Sequence, residues 1–203
     1  MRGPEGIAAL ILAAGNSTRM GALKPLLRIG NTAMVELASQ CFLKAGVRDV
    51  TVIVGCRAEL IIPMLQDLRV KWVLNTEYES GMLSSVLTGI RSLASHVRAF
   101  FLLPCDIPLV GPETIKALTG VYGQTPAPVI YPVFGGLRGH PPLISMDSVR
   151  DLAPECEGGM RSFLRRYEDL ALNVEVMDEG ILLDCDTPED YRKLLAHASG
   201  TNN

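Results

Sequence analysis

The hydrophobic pattern opens with Ile7-Ala8-Ala9-Leu10-Ile11-Leu12, an apolar run without polar alternation. Such a run suits a strand buried on both faces, as in a parallel sheet. Over residues 32–45 the apolar positions Met34, Val35, Leu37, Ala38, Cys41, Phe42 and Ala45 recur at helical spacing and stop at Gly46. Residues 50–54 predict a second strand closed by Gly55, residues 58–68 a helix interrupted by Pro63, and residues 70–74 a third strand. A helix at 84–94, an apolar strand at 99–103 and a helix at 111–118 continue the rhythm. Strands alternating with amphipathic helices predict a parallel sheet covered by helices, with ligands bound at the carboxyl ends of the strands. After about Val121 the pattern loosens into a proline-rich stretch, 126–142. Strands at 129–133 and 143–145, helices at 148–152 and 160–167, a late strand at 173–177 and a closing helix at 188–198 are expected beyond it. There is no internal repeat, and the tail from 199 to 203 is expected to fray.

Composition narrows the class. A length of 203 residues predicts one domain with ample core. A net charge of −3 gives no general affinity for nucleic acid or an anionic membrane, so cations that hold an anionic ligand must be gathered locally. No apolar segment approaches the roughly 20 residues needed to span a bilayer, and the first run reads as a strand rather than a signal peptide. The five cysteines are scattered without C-x-x-C spacing, which indicates neither a zinc site nor a redox pair. Reduced thiols and a cytoplasmic location are the expectation.

Candidate chemistry falls where strands end. After the first strand, Ala13, Ala14 and Gly15 lead into a polar loop with Ser17, Arg19 and Lys24. Small residues let a ligand approach backbone N–H groups, which cradle phosphates. Arg19, as a planar fork, and Lys24, as a mobile point charge, suit a triphosphate. An ordinary strand-to-helix connection with two solvated cations is the alternative. Beyond residues 70–74, Asn75 is followed by Gly81, which permits a tight turn, and by Ser84 and Ser85 near a helix start. Serines there serve an anion site or simply cap the helix.

Beyond residues 99–103 lies Pro104-Cys105-Asp106-Ile107-Pro108. A carboxylate directly after an apolar strand suits Mg²⁺, which takes one or two carboxylates together with water and substrate phosphates. The flanking prolines stiffen the loop; an aspartate capping the next helix is the alternative, and Cys105 reads as a small buried residue. Asp184 and Asp186 form a further acidic pair before Thr187-Pro188-Glu189-Asp190, itself a good helix start. His140, between Gly139 and two prolines, is a structural hydrogen-bonder or a substrate contact. Arg161, after Gly158-Gly159-Met160, receives a phosphate or makes a surface salt bridge.

The stretch from Leu12 to Lys24 resembles the L-A-A-G-x-S-x-R-M-G-x-x-K signature of nucleotidyltransferases with a sugar-nucleotide-transferase-like fold. It matches neither G-x-x-x-x-G-K-[ST] nor G-x-G-x-x-G. Its double alanine is similar to the cytidylyl-transferring branch of the molybdenum-cofactor nucleotidyltransferases more than to the guanylyl-transferring one. The resemblance runs from Leu10 to Tyr191 and takes in N…G-M-x-S-S at Asn75–Ser85, P-x-D at Pro104–Asp106, R-G-H-P at Arg138–Pro141 and D-x-D-T-P-E-D at Asp184–Asp190.

The resemblance implies a three-layer αβα, Rossmann-like nucleotidyltransferase (nucleotide-diphospho-sugar transferase-like) fold with a mostly parallel sheet. Its single domain spans residues 1–203, with a nucleotide-binding half at about 7–120 and an acceptor-binding half at about 121–198. The implied reaction is Mg²⁺-dependent transfer of CMP from CTP to the phosphate of molybdopterin cofactor, releasing pyrophosphate. Leu12, Ala13, Ala14, Gly15, Ser17, Arg19, Lys24, Asn75, Gly81, Ser84 and Ser85 would bind the nucleotide, with Arg19, Lys24 and Asp106 catalytic. Asp106 and Asp186 would hold the metal, with Asp184 beside them, and His140, Gly159 and Arg161 would bind the acceptor. Ile107 stands where the family has Gln; Cys156, Glu157 and Met160 replace its Gly, Asp and Ala, which leaves the acceptor open. Guanylyl transfer, a sugar- or polyol-phosphate acceptor, and a non-catalytic chaperone delivering cofactor to a molybdoenzyme remain as alternatives.

Overall fold

The computed structural model describes residues 5–16 and 20–200. Its strands are β1 (Ile7–Ala13), β2 (Arg28–Ile29), β3 (Thr32–Ala33), β4 (Asp49–Val54), β5 (Lys71–Leu74), β6 (Ala99–Pro104), β7 (Val129–Phe134), β8 (Leu137–Arg138), β9 (Leu143–Ser145) and β10 (Leu172–Glu175). The α-helices are α1 (Met34–Ala45), α2 (Ala58–Leu65), α3 (Met82–Ser92), α4 (Pro112–Gln124), α5 (Gly159–Leu164) and α6 (Pro188–Gly200).

One sheet runs in the order β10-β7-β9-β6-β1-β4-β5, with β8 paired to β7. β1 lies at its centre, parallel to both β4 and β6, and every residue of β1 is buried. Alternate residues serve opposite faces. Ala9, Ile11, Val52 and Phe101 pack with α1, α2 and α4, while Leu10, Leu12, Ile53 and Phe100 pack with α3 and α5. This is the three-layer αβα arrangement, and it explains the unbroken apolar character of β1. The sheet is mostly parallel; β9 runs antiparallel to both β6 and β7, and β8 antiparallel to β7. Because β4 and β6 flank β1 on opposite sides, the chain leaves β1 at a switch point of the sheet, where two loops diverge and leave a crevice.

Several boundaries differ from the sequence expectation, each for a local reason. The helix expected to reach residue 68 ends at Leu65, beyond which the chain tightens into a turn with Leu68 N donating to the Leu65 carbonyl; Pro63 within it gives up only its own bond to the preceding turn. The helix expected at 111–118 continues to Gln124, because Val121 and Tyr122 extend the stripe begun by Ile115 and Leu118. Residues 146–149 form a 3₁₀ turn in place of a helix at 148–152, with Ser145 Oγ accepting from Asp147 N. The segment 160–167 divides at Leu164, where α5 passes into a 3₁₀ turn, Arg165–Leu170, with non-helical Tyr167. The hairpin β2–β3 and strand β8 are too short to give a periodic signal. Among the described residues, no helix is long and apolar enough to cross a membrane.

Candidate active site

The loops after β1, β4, β5 and β6 meet at the carboxyl edge of the sheet. Cys56 N donates to the Ala14 carbonyl at 3.1 Å, and Cys105 N to the Leu12 carbonyl at 3.0 Å, so the neighbouring loops fix the end of β1. At Gly55 an added Cβ would stand 2.8 Å from Ala14 Cβ and 2.9 Å from Tyr78 Cβ. The smallness of Ala14 and Gly55 is therefore a packing requirement that brings bare backbone to the crevice floor.

The turn between β5 and α3 is organised by Asn75, which is 3% exposed. Its Nδ2 donates to Ser84 Oγ at 2.8 Å and to Ser85 Oγ at 2.9 Å, and its Oδ1 accepts from Glu77 N at 2.9 Å. Ser84 Oγ also lies 2.8 Å from the Glu77 and Gly81 carbonyls. Gly81 enters α3 at φ 97°, ψ 178°, a region essentially reserved for glycine. Asn75 and Ser84 thus hold the turn from behind, and Gly81, Met82 and Ser85 line the crevice.

Lys24, Asp106 and Asp186 converge from three loops. Lys24 Nζ donates to Asp106 Oδ2 at 2.9 Å and to Asp186 Oδ1 at 2.6 Å, with the lysine side chain 12% exposed. Burial opposes the ammonium charge, but its hydrogen bonds to Asp186 and Asp106, with the charges of those carboxylates, hold its pKa above the ordinary lysine value. Two carboxylate oxygens directed at one point suit a divalent cation that completes its shell with water and substrate oxygens. Among the described residues, no group of three or more His, Cys, Asp or Glu is arranged around a single ion.

The C-terminal segment carrying Asp186 is pinned in place. Asp178 Oδ2 accepts from Gly111 N at 2.8 Å and Thr114 Oγ1 at 2.6 Å, and its Oδ1 accepts from Gly180 N at 3.1 Å. Farther along, His140 N donates to the Ile181 carbonyl and Cys185 N to the Asp106 carbonyl, both at 2.9 Å. Asp184 is exposed; partial burial, then the charges of Asp186 and Asp106, raise its pKa. Burial pushes the Cys105 thiol up strongly and the Cys185 thiol up to about 11, so neither is a thiolate near neutrality.

Among the described residues, two cavities share this edge. The first, of about 250 Å³, is lined by Leu12, Ala13, Ala14, Gly15, Lys24, Tyr78, Gly81, Met82, Ser85 and Asp106, among others. The second, of about 570 Å³, shares Leu12, Met82 and Pro104 with it and extends past Tyr131, Arg138, His140, Met160, Arg161, Arg165 and Glu168. Arg138 is held on two sides: its Nε donates to Asn173 Oδ1 and its Nη1 to both Glu168 oxygens at 2.7–2.9 Å, and its guanidinium lies 4.5 Å from the Tyr131 ring centroid. Burial lowers the His140 pKa, against a hydrogen bond to the Leu102 backbone, and Nδ1 is buried without a partner among the described residues.

Of the residues singled out from the sequence, the structure gathers Leu12–Gly15, Lys24, Gly81, Ser85 and Asp106 around the first cavity, and Lys24 joins Asp186 to them. His140 and Arg161 line the second. Gly159 begins α5 at φ 63° and is not among the residues lining either cavity. Ser17 and Arg19 lie outside the described residues. Sequence reasoning passed over Tyr78, Met82, Tyr131, Arg138, Arg165 and Glu168. Met82 and Arg138 had a signal, since each stands inside a motif already recognised; Tyr131, inside a strand, had none.

Comparison with known proteins places this geometry among relatives. The sequence model of the family described as MobA-like NTP transferase domain matches residues 9–170. Over 200 residues the chain is 28% identical to nicotine blue oxidoreductase of Paenarthrobacter nicotinovorans, covering 93% of this chain and 96% of that protein. It is 26% identical to the molybdenum cofactor cytidylyltransferase of Escherichia coli K12, covering 92% and 94% of the two chains. The solved structure of a nucleotidyl transferase from Methanothermobacter thermautotroptrophicus superposes with a TM-score of 0.84 at 24% identity, covering 96% and 98% of the chains.

Proposed function

The chain belongs to the family of MobA-like NTP transferase domains, and from that premise we propose that it transfers CMP from CTP to the phosphate of a molybdopterin-type acceptor and releases pyrophosphate. One observation carries the reading: two cavities meet at Leu12, Met82 and Pro104, and the Lys24–Asp106–Asp186 cluster stands at the wall of the first. The nucleotide takes the first cavity, with its phosphates against the backbone of Leu12–Gly15 and the ammonium of Lys24. Ser17 and Arg19 are assigned to the same phosphates by their place in the loop. Asn75 and Ser84 act through the turn they hold, and Gly81 and Ser85 face the nucleotide. The acceptor takes the second cavity, against His140 and Arg161, with Gly159 setting the start of α5. The cytidylyltransferase relative supports the choice of base and acceptor.

No protein nucleophile is needed. An oxygen of the acceptor phosphate attacks the α-phosphorus, the bond to the β-phosphate oxygen breaks, and pyrophosphate leaves in line. Asp106 and Asp186 would hold Mg²⁺, which supplies charge neutralisation across the phosphate oxygens when bound. Lys24 and Arg19 offset the charge that develops on the leaving pyrophosphate, and the two cavity walls fix the angle of attack. A molybdoenzyme is the expected recipient of the product.

The test is pyrophosphate release with CTP, GTP, ATP or UTP, in Mg²⁺, with and without molybdopterin cofactor. Release with CTP that depends on the cofactor is the expected result, and release with GTP alone would overturn the base. A redox reading has one observation in its favour, the oxidoreductase relative. Absence of release with every nucleotide would favour it.

A further inference from the structure

The cluster of Lys24, Asp106 and Asp186 has a consequence for the order in which ligands load. Lys24 reaches the carboxylates across 82 and 162 positions of sequence, and its Nζ stands at 2.9 Å and 2.6 Å from their oxygens. It occupies the point on which those oxygens converge. Two carboxylates this close repel unless a cation lies between them. An ammonium at that point and a divalent cation bound to the same oxygens repel each other, and the low exposure of Lys24, 12%, limits screening by water. The same lysine lines the first cavity beside the backbone of Leu12–Gly15. It therefore has a second place to go, toward an anion bound in that cavity.

We propose that Lys24 is a resident cation that keeps a free divalent metal off the Asp106–Asp186 pair until the phosphates of a nucleotide draw its ammonium away. The inference rests on the reading of these two aspartates as the carboxylates that hold the metal. It makes metal and nucleotide loading one coupled event, in which the triphosphate brings the metal and also gives Lys24 a new anionic partner. A lysine serves this purpose better than an arginine, because its point charge on a flexible stem can swing between partners.

The test is Mn²⁺ binding to the purified full chain, read by the loss of free Mn²⁺ electron paramagnetic resonance signal, with no nucleotide present. Lys24→Met keeps the stem and removes the charge. It is expected to bind Mn²⁺ more tightly than the unaltered protein by about tenfold or more, the scale of removing a like charge at contact distance. Against a protein-free Mn²⁺–CTP mixture, which accounts for chelation by the triphosphate itself, the unaltered protein is expected to gain a similar factor when CTP is added. Equal or weaker Mn²⁺ binding by Lys24→Met overturns the proposal, as does an affinity of the unaltered protein that CTP leaves unchanged. If Lys24→Met fails to fold, Lys24→Gln, which also removes the charge, takes its place in the nucleotide-free comparison. Asp106→Asn in the Lys24→Met background separates the two readings. If tight binding survives that change, the assignment of Asp106 as a metal carboxylate falls; if it is lost, the metal reading stands and the comparison with Lys24 decides the gate.

Discussion

Asp106 follows a six-residue strand, Ala99–Pro104, of which only the last residue is not fully buried, so the rigid sheet fixes where its carboxylate can point. Asp106→Asn preserves volume and removes charge. In this variant kcat is expected to fall about 100-fold or more, since metal-assisted charge stabilisation is worth several kcal/mol. Pyrophosphate release against CTP concentration measures this, and an unchanged kcat would remove Asp106 from the chemistry. His140 makes a prediction about pH. Its folded pKa lies below the ordinary histidine value because burial disfavours the cation. Between those two values the unfolded chain holds a proton that the folded one refuses, so this group's contribution is present above about 6.5 and is lost as pH falls below it through the folded value. Urea midpoints from pH 7.5 to 5 should show a shallower decline for His140→Asn than for the unaltered protein. At this scale the sequence was informative about position where a polar residue follows an apolar strand, as Asp106 does at the edge of the first cavity. It was silent on the pairing of Lys24 with Asp186, because no local pattern reports a contact across 162 positions.

Among the elements, the turn into α3 and the segment from Asp178 to Asp186 do the positioning. Gly81→Ala places a side chain at φ 97°, a strain of about 1–3 kcal/mol. The turn must then shift Met82 and Ser85, and the expected result is weaker CTP binding by calorimetry with the sheet intact by circular dichroism. Asp178→Ala leaves the Gly111 and Gly180 amides and the buried Thr114 hydroxyl without their acceptor. A loss of about 2 kcal/mol in urea unfolding is expected from such unpaired groups. The main strands and helices were legible as apolar runs or stripes, several of them bounded by glycine, as β1, β4 and α1 are. The reversed direction of β9 was not, since periodicity shows burial and says nothing of strand direction. Likewise Gly120 and Gly123 hid the last turns of α4, which Val121 and Tyr122 hold by packing.

For the molecule as a whole, β1 at the switch point places the loop of small residues over the centre of the sheet, and both cavities open from its carboxyl edge. The first cavity was foreseen from the motifs that build it. The character of the second was not: Arg138 is tied to Glu168, Asn173 and Tyr131, while Arg161 and Arg165 line the same space. The matching of Arg138 by a carboxylate from a distant turn is a tertiary event that an R-G-H-P motif does not announce. Group transfer between these two cavities is the reaction proposed. Its most direct measurement follows the label of CTP carrying ³²P at the α-phosphorus, incubated with the protein, Mg²⁺ and molybdopterin cofactor. The expected result is that the label moves into a cytidylylated cofactor and that Asp106→Asn abolishes the transfer. Label that stays in CTP, or emerges only as free CMP, would contradict it.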